Sequence, residues 1–208
     1  GGEAIVTQSL KKSDKKQKGL VNLWADVPYQ DLFWLGNIRE LENLLREIGL
    51  TPNTIFGYQR GIENINKIPE AEFHLLVSPW VGLKNMKTME KKLGIPYLHY
   101  PVLPIGATET GKFLREVGKF AHVDEAKVEE VIKKHEDYFY YLISRYADLF
   151  LENRVINKQF TVVADAQYAL GITKFLVNDL GLVPAKQFIT DDTPKEHQEL
   201  IAAEFQSL

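Results

Sequence analysis

Residues 74–114 read HLLVSPWVGLKNMKTMEKKLGIPYLHYPVLPIGATETGKFL, and this stretch decides the fold. The apolar run His74-Leu75-Leu76-Val77 stops at Ser78-Pro79-Trp80. A helical pattern follows through Leu93, closed by Gly94. Ile95-Pro96-Tyr97-Leu98-His99-Tyr100 then reads as a second strand, ended by Pro101. Strand, helix and strand within about 30 residues make a βαβ unit, whose right-handed crossover requires a mostly parallel sheet.

Upstream, Leu20 to Trp24 is the expected first strand, followed by a loop from Asp26 to Phe33 that holds Pro28 and Tyr29. Asn37 is the expected N-cap of a helix, whose Leu41, Leu44, Leu45 and Ile48 form one apolar stripe. Gly49 stops it, where a positive φ is needed. Thr54-Ile55-Phe56 is the expected second strand, ended by Gly57. Gly61 to Lys67 reads as a short helix with Ile62 and Ile65 turned inward. Glu3 to Leu10 reads as the tail of a preceding helix. The lysine-rich segment from Lys11 to Gly19 is either a solvated linker or a docking patch.

Downstream, Thr108 or Thr110 is expected to cap a helix through Phe113, Leu114 and Val117. Asp124 is the expected N-cap of the next, with Lys127 where a capping box needs Glu or Gln. That helix is expected to run from Glu125 to about Glu152, about 40 Å at 1.5 Å per residue, and to hand the chain to a following domain. Its aromatic band from Tyr138 to Tyr146 is expected in the helix core or at an interdomain contact, or else facing a partner subunit. Gln159 to Ala164 reads as a strand with Asp165 at its carboxyl end, and Tyr168 to Leu180 as a helix closed by Gly181. Lys186 to Ile189 reads as another strand. Asp192 or Thr193 is expected to cap a final helix with Pro194 in its first turn. The expected architecture is α/β: a three-layer Rossmann-like parallel sheet flanked by helices over residues 1–153. The start of a second Rossmann-like βαβ unit follows over 154–208.

With 208 residues, 45% of them hydrophobic, the chain has ample material for a core. A net charge of −3 gives no electrostatic case for nucleic acid or an anionic membrane. No apolar run approaches the roughly 20 residues of a membrane span, and a cytoplasmic location is the default expectation. The chain starts Gly1-Gly2 with both methionines internal, as expected of a piece of a longer protein. There is no cysteine, hence no disulfide and no thiolate for an iron–sulfur cluster within these residues.

In open α/β sheets, ligands sit outside the carboxyl ends of the strands. Asp26, Tyr29, Ser78, Trp80, Gly106, Asp165 and Tyr168 occupy those ends and are the candidate pocket. No GxGxxG or GxxxxGK[ST] motif accompanies them, so the sequence gives no motif for nucleotide binding. The five histidines lack HxxxH or HExxH spacing and are expected to be partly buried rather than metal-binding. No catalytic residue stands out.

Leu76-Val77-Ser78-Pro79-Trp80, then Met89 to Tyr97, then Pro104-Ile105-Gly106 with Thr108 or Thr110 ahead of Phe113-Leu114, carry a family resemblance. The chain resembles the second Rossmann-like domain of the nitrogenase component 1 family, and more weakly so from Val21 to Leu182. That family includes the dinitrogenase chains, cofactor-assembly relatives and dark-operative protochlorophyllide reductase subunits. In its α-type chains, a cysteine at the end of this strand ligates the iron–molybdenum cofactor. Counting back from Gly94-Ile95-Pro96 puts Ser78 there, and a hydroxyl is a poor substitute for thiolate on iron. Ser78-Pro79-Trp80 instead resembles the β-type chains; Ser78 otherwise reads as a turn cap.

The resemblance implies a nitrogen-fixation-type oxidoreductase, a component 1 or molybdenum–iron protein chain, assembled as a heterotetramer with an α-type sister subunit. An ATP-dependent iron protein delivers electrons through an iron–sulfur cluster held outside this fragment to a reducible substrate such as dinitrogen. The isolated fragment is expected to be inactive and free of cofactor. A cofactor-assembly scaffold and a two-lobed small-molecule binding module remain as alternatives.

Overall fold

A computed structural model describes residues 10–148 and 157–208. Contacts divide the chain into two compact units, Gly1–Tyr100 and Pro101–Leu208.

The first unit is a four-stranded parallel sheet: β1 (Leu20–Trp24), β2 (Thr51–Asn53), β3 (Phe73–Val77) and β4 (Tyr97–Tyr100), in the order β2-β1-β3-β4. Leu75 pairs with Leu98 and Leu76 with His99, the parallel register that a βαβ unit demands. All five residues of β3 are buried, so its apolar run reflects cover on both faces. The crossover helix α3 (Leu83–Leu93) turns Leu83, Met86, Met89 and Leu93 inward against Leu76, Ile68 and Ile95. Gly94 closes it with φ +68°.

Three local expectations fail here. Helix α1 (Trp34–Glu47) starts ahead of Asn37, which lies inside it and donates its N–H to Phe33 O at 2.9 Å. The Asp31 carboxylate accepts from the Phe33 N–H at 2.7 Å and organises the entry. Strand β2 lies at Thr51–Asn53 rather than at residues 54–56. Pro52, tolerated because β2 is an edge strand, hid it from a reading based on β propensity. In the six-residue helix α2 (Ile62–Lys67), Ile65 packs on the core but Ile62 is 74% exposed.

The second unit is dominated by helices: α4 (Gly106–Phe120), α5 (Glu125–Arg145), α6 (Ala166–Asn178) and α7 (Lys195–Gln206). No threonine side chain caps α4; its N-cap is Ile105. Asp179, the C-cap of α6, instead accepts from both the N–H and the hydroxyl of Thr108, at 3.1 and 2.9 Å. A carboxylate at a helix N-terminus also suits the helix dipole. Asp124 caps α5 as expected, accepting from Ala126 N–H. The expected run to Glu152 fails: α5 ends at Arg145, where Tyr146 is its C-cap. Residues 149–156, with the expected boundary at 153, and the segment Glu3 to Ser9 lie outside the described residues.

The strand expected over 159–164 is two short pieces. β5 (Gln159–Phe160) pairs with β7 (Val183–Pro184), and β6 (Val163–Ala164) with β8 (Phe188–Ile189), all parallel. The Gln187 side chain fills the break: its Oε1 accepts from Val162 N–H at 2.8 Å, and its Nε2 donates to Ala185 O at 2.9 Å. A side-chain amide thus stands in for a peptide link of the ladder. α7 has Pro194 as its N-cap with no side-chain cap; the Thr193 hydroxyl bonds Asp191 instead. The aromatic band of α5 is not core. Tyr138, Tyr140, Tyr141 and Tyr146 are all more than half exposed, and only Phe139 turns in, edge-on to Phe175.

Candidate functional site

Strand order places the reversal of winding between β1 and β3, since β2 lies on one side of β1 and β3-β4 on the other. The crevice outside their carboxyl ends is where such a sheet receives a ligand. Trp24 pairs with Leu76, and the same offset carries Asp26 to the level of Ser78. Asp26 is 6% exposed and Ser78 fully buried. The Ser78 N–H donates to Tyr100 O, and His99 Nε2–H donates to Ser78 O at 2.7 Å. The Ser78 hydroxyl has no hydrogen-bond partner among the described residues, so it does not cap a turn. Trp80 is half-buried beyond it.

Tyr29 is 92% exposed at φ +65°. Leu32, Phe33, Phe56 and Tyr58 are also exposed on the loops that follow β1 and β2.

Beneath that edge lies a polar cluster that sequence reasoning missed. His74 Nδ1 accepts from Trp24 Nε1–H at 3.2 Å and lies 3.3 Å from the Asn22 amide nitrogen. Asn22 also donates to Ile68 O and accepts from Asn53, which exchanges bonds with Asn64. An indole N–H only donates, so the neutral ring carries its proton on Nε2. Burial, with the Lys16 charge adding to it, lowers the His74 pKa from 6.5 to about 4. Asn22 inside the apolar run Leu20–Trp24 was the available signal, because a buried amide must find partners.

The remaining candidates, in the second unit, have structural roles. The Asp165 carboxylate caps α6 by accepting from Tyr168 N–H at 2.9 Å. Gly106, at φ +81°, lets α4 approach α6: a Cβ there would lie 2.3 Å from Asp179 Oδ2 and 2.4 Å from Phe175. Tyr168 is half-buried.

No three His, Cys, Asp or Glu side chains among the described residues could hold a metal ion together. With no cysteine in the sequence and a buried serine hydroxyl at the strand end, the residues present do not fit an iron–sulfur or iron–molybdenum centre.

The family described as nitrogenase component 1 type oxidoreductase matches residues 1–206. A light-independent protochlorophyllide reductase chain of Angiopteris evecta is 28% identical over 192 residues, a match to 86% of this chain and 37% of the relative. Its counterpart in Huperzia lucidula is 25% identical over 197 residues, with the same coverage. The chain thus spans under two fifths of the length of these curated relatives. A solved structure of nitrogenase Cp1 at pH 6.5 superposes with a TM-score of 0.72 over 99% of this chain and 45% of its own, at 17% identity, which supports the fold. Sequence, sheet topology and these matches agree: the chain belongs to the nitrogenase component 1 type oxidoreductase family.

Proposed function

We propose that this chain is part of a β-type subunit of a component 1 type reductase. In this reading it is scaffold: residues 1–153 are a middle Rossmann-like domain and 154–208 open the next. The observation that carries the reading is the parallel β2-β1-β3-β4 sheet with a buried serine, not a thiolate, at the carboxyl end of β3. Such an edge shapes a site without ligating iron. Clusters belong to other parts of the assembly, and electrons come from an ATP-dependent iron protein.

The exposed aromatic loops after β1 and β2 meet substrate or the sister subunit, and the tyrosine band of α5 faces a partner. The reduced substrate is protochlorophyllide, as in the names of the relatives, or dinitrogen. The candidate pocket of Asp26, Tyr29, Ser78 and Trp80 belongs to this function; Gly106, Asp165 and Tyr168 serve the packing of helices within the second unit.

The test is anaerobic turnover of the full-length protein with its sister subunit. Addition of an iron protein and MgATP is expected to give ATP-dependent reduction of one of the two substrates. Delivery of a cluster to an acceptor chain without such turnover would favour an assembly scaffold and overturn this reading. The 208-residue chain alone, purified anaerobically, is expected to show no iron–sulfur absorption band.

A further inference from the structure

We propose that the lysine strap 11–18, at the amino edge of the first sheet, and the outer face of α3 beside it form a docking surface for an acidic face of a partner polypeptide. The strap carries five lysines against Asp14, and α3 adds Lys84, Lys87, Lys91 and Lys92 against Glu90. All nine lysines are exposed. They are nine of the 13 cationic residues in positions 1–100. Outside the two segments the chain carries 16 Lys and Arg against 26 Asp and Glu. Positive charge is therefore concentrated on a chain of net charge −3.

The strap is pinned, not loose. Gln17 N–H donates to Glu70 O at 2.8 Å, Lys16 Nζ to Pro69 O at 2.8 Å, and Gly19 N–H to a Glu72 carboxylate oxygen at 3.0 Å. The Lys12 side chain lies over Gly94, the C-cap of α3, within 3.4 Å of where a Cβ would stand. That contact joins the strap to the last turn of α3, which holds Lys91 and Lys92. Burial, with the nearby Lys12 charge adding to it, lowers the Lys16 pKa. Opposing carboxylates complement the clustered lysines, and a pinned strap loses little entropy on binding.

The surface is all lysine, with no arginine fork and no aromatic side chain in 11–18 or 83–93, which disfavours single-stranded nucleic acid. The apolar side of α3 is committed to the core, leaving no anchor for a lipid surface.

The experiment measures anisotropy of a fluorescein-labelled polyglutamate peptide on the 208-residue chain at low and high salt. Binding is expected at low salt and should weaken as screening shortens. The K11Q/K12Q/K91Q/K92Q variant, its fold checked by circular dichroism, is expected to bind about tenfold more weakly. A control with K67Q, K119Q, K127Q and K158Q is expected to bind as the unaltered chain does. In the unaltered chain, the peptide should also slow acetylation of Lys11, Lys12, Lys91 and Lys92, a readout that needs no variant. Absence of low-salt binding, equal loss in the control, unchanged acetylation, or tighter binding to a charge-matched oligothymidylate or to phosphatidylserine vesicles would overturn the proposal.

Discussion

The first unit opens on a strand and the second on a pair of helices, and the two are held by different forces. In the first, β3 buries every residue and pairs on both sides, while the side chains of β1, β2 and β3 share a buried hydrogen-bonded cluster. In the second, β5 to β8 are two residues each, with none fully buried. Its interior is helix on helix, with glycine at the closest approaches. A Cβ on Gly118 would stand 2.7 Å from Val128, and one on Gly171 would stand 2.7 Å from Leu103 O. The first unit is therefore sensitive to polar and protonic disturbance, the second to added volume.

The largest expected effect tests the second half of that contrast. Gly106→Val adds a branched side chain at φ +81°, where Asp179 and Phe175 already occupy the space. Backbone strain and overpacking together should cost about 4 kcal/mol. Hydrogen exchange should show lost protection in α4 and α6, with β1, β3 and β4 unchanged. Equal loss in both units would mean that they do not differ as described.

Next is acid. The fold keeps His74 neutral, so its pKa is about 4 folded against 6.5 unfolded. Above pH 6.5 the ring is neutral in both states and the full stability is present. As pH falls from 6.5 towards 4, only the unfolded chain takes up the proton, and the first unit should lose on the order of 3 kcal/mol. All three tryptophans, Trp24, Trp34 and Trp80, lie in the first unit, so fluorescence-monitored urea unfolding isolates it. His74→Gln should flatten this pH dependence. A slope that survives the substitution would assign it to another group.

What was legible in the sequence follows the same division. The fold could be read where strands are buried on both faces, because an apolar run such as Phe73–Val77 has few alternatives. The pattern failed at Thr51–Asn53, where a proline and a hydrogen-bonded asparagine replace the usual β-formers. It failed again at 159–164, because Gln187, more than 20 positions away, completes the break. Ser78 and Asp26 could be placed beyond the strand ends because topology fixes those ends. The His74 cluster could not be read, because its members Asn22, Trp24, Asn53 and His74 lie on three strands whose register no single segment encodes.

A smaller effect tests Gln187 itself. Gln187→Leu keeps approximate volume but removes its bonds to Val162, Ala185 and Thr173. The second unit should lose about 2 kcal/mol, since partly buried backbone groups are left unpaired. The tryptophan transition of the first unit should not move. A shift in it would show that the short ladders are not the local feature described.

The smallest effect bears on Asp165, a candidate ligand-edge residue whose carboxylate caps α6. If capping is its whole role, Asp165→Ala should destabilise the second unit by about 1 kcal/mol. Asp165→Asn should recover most of that, because an asparagine side chain accepts the same hydrogen bond from Tyr168 N–H without the charge. The full-length subunit carrying Asp165→Asn should then turn over substrate at the unaltered rate. Restored stability with lost turnover would place Asp165 in the chemistry, and the second unit would contribute a functional side chain as well as the helices that support one.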